Sequence, residues 1–285
     1  MLATIRLFFH RFFISYNMST DSLSEFKQQQ REMWSSFAPS AIFTTPVAAN
    51  LVAFAGIRAG QRVLDIGTGT GVAAITAARS GAEVCALDLT PELLEQAKQD
   101  AAIADQRDIE WIEGDAENLP YPDNSFDVVI SQFGHMFAPN ADAVVREVHR
   151  VLKPDGLFAF ASWPPEHLMG RVFALVDTYV ASPIYPDSAP QLWGDPHVIT
   201  KRLATLFEAP FFERGVMLTP ALSKSHRRLA FERSFGPMRQ ALQDLAAEPE
   251  KIQKLRQVMD ELIEPYCISN QCHQSYLMSR SRVIK

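Results

Sequence analysis

Between residues 61 and 161, short apolar runs alternate with longer stretches whose apolar residues recur at helical spacing. Residues 62–66, 83–88, 109–113, 126–131 and 157–161 are β-rich and are predicted to be strands. Helices are predicted between them. One covers 72–79 behind a glycine turn. Another begins at Thr90-Pro91-Glu92, a capping residue followed by Pro at the first helical position, and runs to about residue 104. A third covers 141–151 with Val144, Val145, Val148, Val151 and Leu152 at helical spacing, and Lys153-Pro154-Asp155-Gly156 stops it. Strands alternating with helices form βαβ units, hence a parallel sheet with helices on both faces.

After Trp163 the pattern loosens. Pro164-Pro165 breaks the chain, 168–180 looks helical, 182–194 is rich in Pro, and 195–207 is a further helix. Residues 211–218 give a sixth strand, 220–272 read as inserted helices, and 273–283 close the sheet as a seventh. Ahead of the sheet, 23–56 is helical and amphipathic and is expected to cap the ligand edge. The expected fold is α/β: a doubly wound, mostly parallel seven-stranded sheet with an N-terminal helical cap and helical lid insertions. One domain spans 25–285 after a tail at 1–24. Within it lie the cap (25–60), the core (61–163), lids at about 164–195 and 219–272, and a closing strand at about 273–284.

Composition narrows the function. The net charge of −6 argues against a dedicated nucleic-acid binder, which holds phosphates with surplus Lys and Arg. A local basic stretch (Lys224, Arg227, Arg228, Arg233, Arg239) reads as a solvated helix face rather than an anion site. Three cysteines give no disulfide framework, so a cytoplasmic location is expected. Cys85 reads as core. Cys267, Cys272 and His273 lack a second ligand pair, so no metal site is expected. The first seventeen residues, MLATIRLFFHRFFISYN, fit an amphipathic targeting or membrane-surface helix, or else sequence ahead of a start at Met18. No apolar run approaches the ~20 residues that span a bilayer, so stable membrane insertion is not expected. A homodimer is left open.

In an open α/β sheet the ligand lies beyond the carboxyl ends of the strands, where strand order reverses. Four such ends carry chemistry. The first is Asp65-Ile66-Gly67-Thr68-Gly69-Thr70-Gly71. A dinucleotide loop would place its third glycine at position 72, where this chain has Val72, and Asp65 would repel a pyrophosphate. An acid there suits a ligand bearing an ammonium and a sulfonium. The second is Asp88, about 20 residues beyond the loop, where a carboxylate can accept from both ribose hydroxyls. Its alternative role, a helix-start cap, is better filled by Thr90. The third is Gly114-Asp115-Ala116-Glu117, placed to read an adenine edge or simply to form a turn. The fourth is Ile130-Ser131-Gln132-Phe133-Gly134-His135.

These segments, with "GDAENLPYPDNSFDVV" (114–129) and "REVHRVLKPDGLFAFASW" (146–163), resemble the class I S-adenosylmethionine-dependent methyltransferases, most nearly the branch containing the ubiquinone/menaquinone C-methyltransferases. The resemblance covers about a hundred residues. It implies S-adenosyl-L-methionine as cofactor and S-adenosyl-L-homocysteine as product. Asp65 would fix the methionine amino group, with the main chain of Gly67 and Ser131 nearby and Thr68, Gly69 and Gly71 completing the loop. Asp88 would bind the ribose, Leu89 would pack on the adenine, and Asp115 and Ala116 would read its edge. Phe37 stands where relatives often place a cap Tyr, and Asp155 where they often have Gly.

The methyl acceptor is expected to be a small apolar or aromatic molecule. Trp34, Phe37, Trp163, Phe173, Trp193 and Phe235, with Met136 and Phe137, are candidates for its pocket, although for most of them packing the lid is the better reading. His135 is a candidate general base, as are Tyr179, Tyr185 and Tyr266, although methyl transfer need not use one. The rival functions are a non-catalytic S-adenosylmethionine-binding scaffold, a nicotinamide oxidoreductase and a nucleic-acid methyltransferase.

Overall fold

The computed structural model describes residues 20–35, 37–180 and 189–284, with side chains from residue 24. Tyr185, the first seventeen residues and Met18 lie outside them. The strands are β1 (Arg62–Ile66), β2 (Glu83–Asp88), β3 (Glu110–Glu113), β4 (Phe126–Gln132), β5 (Leu152–Ser162), β6 (Phe211–Pro220), β7 (Cys267–Ile268) and β8 (Gln271–Arg282). They form one sheet in the order β3-β2-β1-β4-β5-β8-β6, with β7 paired to β8 alone. The pairs from β3 across to β5 are parallel, and β8 runs antiparallel to both β5 and β6.

The central strands are largely apolar because both faces are covered. In β1 all residues but the first are buried, and Phe126, Phe158 and Phe160 of β4 and β5 are fully enclosed. Burying each such ring contributes about 2–3 kcal/mol. On one face α3 (Thr45–Ala55) turns Val47, Ala48, Leu51 and Val52 inward and packs with α4 (Val72–Arg79). The helical run Ala38–Ala55, comprising α2 (Ala38–Ala41), a 3-10 turn and α3, is long and apolar enough by composition to cross a bilayer, a feature the sequence reading did not anticipate. Among the remaining helices, α5 (Pro91–Ile103) covers β2 and β3, and α6 (Ala141–Val151) covers β5. Asn140 caps α6 by accepting from Ala143 N at 3.0 Å.

Three expectations need correction. The sheet has eight strands among the described residues, not seven. The extra strand, β7, is two residues long, too short for an alternation signal. It folds onto β8 through Ser269-Asn270, both in the left-handed region as a tight hairpin requires. Across that hairpin Cys267 and Cys272 are paired residues, Cα atoms 4.1 Å apart, joined by a disulfide where none was expected. Second, β5 begins at Leu152, not residue 157. Phe126 pairs with Leu152 and Val128 with Leu157, so the intervening Lys153-Pro154-Asp155-Gly156 is held as an irregularity in the strand. Third, helix α1 (Thr20–Trp34) reaches into the segment assigned to the tail.

The inserted segments form α7 (Leu168–Asp177), α8 (Pro196–Leu203), α9 (Lys224–Ser234), α10 (Gly236–Asp244) and α11 (Pro249–Ile263). Helix α9 packs on both α10 and α11, and α10 also meets α1 and α7. The cap and the insertions meet one another and line, with the carboxyl ends of the parallel strands, a common cavity.

Candidate functional site

Strand order reverses between β1 and β4, which run parallel side by side with Asp65 opposite Ile130. The carboxyl ends there open a cavity of about 230 Å³. One end of it is built mainly from backbone and carboxylates. Gly67 takes φ +62, and a Cβ on it would lie 2.7 Å from Gly134 Cα, so the loops after β1 and β4 touch main chain to main chain. Gly69 takes φ +57 with open space where its Cβ would stand. Both Gly67 and Gly69 line the cavity, as do Thr68, Leu89, Asp115 and Ala116.

Asp65 is fully buried on that wall. Oδ2 accepts from the Thr68 hydroxyl at 2.6 Å, while Oδ1 has no hydrogen-bond partner. Burial pushes this carboxyl up to about 7, with the Thr68 bond and an interaction with the Ala74 backbone opposing the rise and the neighbouring charge of Asp88 adding to it. Asp88 is also buried and raised, first by desolvation. Its Oδ2 accepts from Gly69 N at 2.7 Å and its Oδ1 from Thr90 N at 2.8 Å. Asp88 thus fixes the glycine loop and the start of α5 together. The Thr90 side chain makes no capping bond, so the cap expected of Thr90 is not made; Asp88 instead holds the backbone N–H of Thr90 just ahead of the helix. Asp115 Oδ1 accepts from Glu117 N at 2.9 Å, and its Oδ2 meets Lys27 Nζ from α1. Lys27 also reaches Glu117 Oε2 at 2.8 Å, which ties the cap to the far end of the cleft. The sequence reading missed Lys27; no motif marks it.

The other end of the cavity is mainly aromatic and aliphatic. Phe37 and Trp34 of the cap, Trp163, Phe137 and Phe235 line it as anticipated. Met169, Met217 and Phe231 also line it and were not anticipated. Phe133, beyond β4, lies in the left-handed region at φ +64, an uncommon place for a bulky residue, and its ring stacks on Trp163 at 3.8 Å and 6°. Phe173, Trp193 and Met136 are not on the wall. They are buried behind it, Phe173 packing against both Phe137 and Phe235.

Among known proteins, the family described as a methyltransferase domain matches residues 64–160. An uncharacterized protein of Mycobacterium tuberculosis is 32% identical over 258 residues, covering 88% of this chain and 93% of that protein. Residues 64–160 thus form a domain of the methyltransferase family. A sterol 24-C-methyltransferase of Pneumocystis carinii is 32% identical over 155 residues, 52% of this chain and 40% of that enzyme. Among solved structures, the YcgJ protein of Bacillus subtilis superposes with a TM-score of 0.57 at 21% identity, over 84% of this chain and 98% of that one. A [4+2]-cyclase, SpnF, gives 0.50 at 19% identity, over 84% and 79%. These likenesses extend the fold only, and the cyclase shows that the fold alone does not decide chemistry.

Methyltransferases of this family use S-adenosylmethionine. The residues present fit that group. Asp65 Oδ1 is a buried acceptor lacking the donor that an ammonium supplies, and the space over Gly69 is the cradle a Cβ would fill.

Three predicted site residues of this methyltransferase are not on the cavity wall. Gly71 sits behind it, against the Trp111 ring. Ser131 is buried; its hydroxyl donates to Ile66 O at 2.7 Å and accepts from His135 N at 3.0 Å, so it ties the two loops together. His135 corrects the expectation of a base. The short 3-10 turn His135–Phe137 directs its ring into the core, 4.6 Å from both Phe160 and Trp193, with neither ring nitrogen hydrogen-bonded. Burial holds it down at about 3, with the charge of Arg202 adding to the effect, so it is neutral and out of reach of a ligand. Tyr179 and Tyr266 are off the wall as well; the Tyr266 hydroxyl accepts from Arg171 Nη1 at 3.3 Å.

Proposed function

We propose that this methyltransferase moves a methyl group from S-adenosyl-L-methionine to a small, mainly apolar or aromatic acceptor by in-line displacement. The observation that carries this reading is the unpartnered Oδ1 of Asp65, buried beside an open glycine cradle that continues into an aromatic chamber. A pyrophosphate would meet that carboxylate with like charge, which disfavours a nicotinamide cofactor. When bound, the cofactor supplies an activated methyl on sulfur.

The chain's own residues bind and orient. Asp65 receives the ammonium of the methionine portion, Asp88 keeps Gly69 in place while offering its remaining lone pairs to the ribose, and Asp115 with Ala116 faces the adenine. The aromatic lid excludes water and holds the acceptor in line, where orientation lowers the barrier. No His or Tyr lines the acceptor chamber among the described residues, so the acceptor brings its own nucleophilic atom. The sterol methyltransferase likeness supports an apolar acceptor.

The purified chain, denatured and analysed by mass spectrometry, is expected to release S-adenosylmethionine or S-adenosylhomocysteine. An acceptor screen would then read S-adenosylhomocysteine formation. Co-purified nicotinamide dinucleotide, or tight cofactor binding with no turnover on any acceptor, would overturn the reading.

A further inference from the structure

The antiparallel end of the cavity carries a polar chain that the methyl-transfer reading does not use. Thr219 on β6, Gln274 on β8 and Arg227 on α9 all line the cavity, and all are buried. Arg227 Nη2 donates to Gln274 Oε1 at 3.2 Å, Gln274 Nε2 donates to Thr219 Oγ1 at 2.8 Å, and the Thr219 hydroxyl reaches Cys272 O at 3.3 Å. Every bond in this series runs in one direction and ends on a backbone carbonyl, so nothing along it carries negative charge.

Arg227 is therefore a buried cation without a counter-ion. It is 9% exposed, no carboxylate among the described residues lies within 4 Å of it, and its Nε has no hydrogen-bond partner. Its guanidinium lies 4.1 Å over the Phe231 ring, which stabilises a cation but does not neutralise it. Neighbours on the same helix behave differently. Lys224 pairs with Glu264 at 2.8 Å, and Arg228 pairs with both Glu232 and Asp260. The basic stretch is thus a paired outer face with one residue turned inward, which corrects the expectation of a wholly solvated face. An uncompensated charge in such a place is costly unless something arrives to pair with it.

We propose that Arg227, oriented by Gln274, docks a carboxylate of the methyl acceptor, so that the acceptor is an apolar acid. This rests on the methyltransferase reading of the cavity. A monoanion suits a single guanidinium, whereas a phosphate dianion would leave one charge unbalanced. The remaining walls, Met217, Phe231, Phe235 and Trp163, suit a hydrocarbon or aromatic body. Strand β8 lies two steps from β4 across β5, a lateral offset of about 10 Å. That offset favours the carboxylate as an anchor rather than as the methylated group.

The full chain loaded with S-adenosylhomocysteine is titrated calorimetrically with 4-phenylbutyrate, its neutral amide 4-phenylbutyramide, and 4-phenylbutyl phosphate. The carboxylate should bind about tenfold or more tighter than the amide, as a charge-assisted hydrogen bond implies. In Arg227→Gln that preference should vanish, while Arg227→Lys keeps part of it; S-adenosylhomocysteine affinity should change in neither. Equal binding of acid and amide, a preference that survives Arg227→Gln, tighter binding of the phosphate, or no binding of any of the three at millimolar concentration would each overturn the proposal. Thermal melts report folding, and if Arg227→Gln does not fold, the native protein and Arg227→Lys decide. The acid and amide are also compared without S-adenosylhomocysteine. If that ligand fails to bind, the methyltransferase reading falls, while the comparison still judges Arg227.

Discussion

The parallel half of the sheet, β3-β2-β1-β4, meets the cavity with backbone amides, glycines and carboxylates spaced by strand ends. The antiparallel half, β8 and β6 under α9, meets it with side chains drawn from residues 217 to 274. The first half has few degrees of freedom. Gly67 must approach Gly134, and Asp88 must reach two backbone N–H groups at once, so residue type and spacing are dictated together. In the second half, Met217, Arg227, Phe231 and Gln274 meet only through tertiary packing, with no backbone geometry that dictates their residue types. The contrast separates a rigid end of the cavity, the proposed cofactor cradle, from an adaptable end, the proposed acceptor wall.

Substitutions sharpen that contrast, and the largest effects belong to the cradle. Gly69→Val places a branched side chain at φ +57 and fills the space a cofactor needs. It should weaken S-adenosylhomocysteine binding by roughly a hundredfold or more, while the left-handed strain costs about 1–2 kcal/mol of stability. Calorimetry and thermal melts read the two effects separately. Asp88→Ala frees the N–H groups of Gly69 and Thr90 and should lower both affinity and stability, the latter by about 2 kcal/mol. Unchanged affinity in both variants would mean that the cradle lies elsewhere. The smallest effect is expected at the rim. Lys27→Met breaks partly exposed ion pairs with Asp115 and Glu117, each worth about 0–1 kcal/mol, so affinity should shift only a few-fold and less at high salt.

The same contrast explains what could be read from the chain. Strands β1, β2 and β4 and helices α4 and α6 were legible because their apolar spacing is imposed by burial on both faces. Asp65, Asp88 and Asp115 were legible because each ends or follows a parallel strand. The bulged start of β5 and the two-residue β7 were not, since Lys153-Pro154-Asp155-Gly156 has the composition of a turn and β7 is too short for any period. His135 misled because position along the chain places it beside the methyl site, while its side chain turns the other way, toward Phe160 and Trp193. Arg227 was hidden among basic neighbours; one helical position decides whether such a residue faces solvent or cavity.

The central claim is that a buried acid, not a phosphate-binding loop, grips the ligand, and the proton on Asp65 tests it. With its carboxyl raised to about 7, above the ordinary value near 4, the ligand-free fold binds more protons than the unfolded chain, and its stability should fall as pH rises across that window. An arriving ammonium favours the charged carboxylate, so binding should release a proton and tighten from about pH 5 to 7. The direct measurement is calorimetric titration of S-adenosylhomocysteine near neutral pH in buffers of different ionisation enthalpy, with the native chain and Asp65→Asn. Proton release by the native chain that disappears in Asp65→Asn, together with weaker binding, is the predicted result. Affinity and proton balance unaffected by Asp65→Asn would contradict the account.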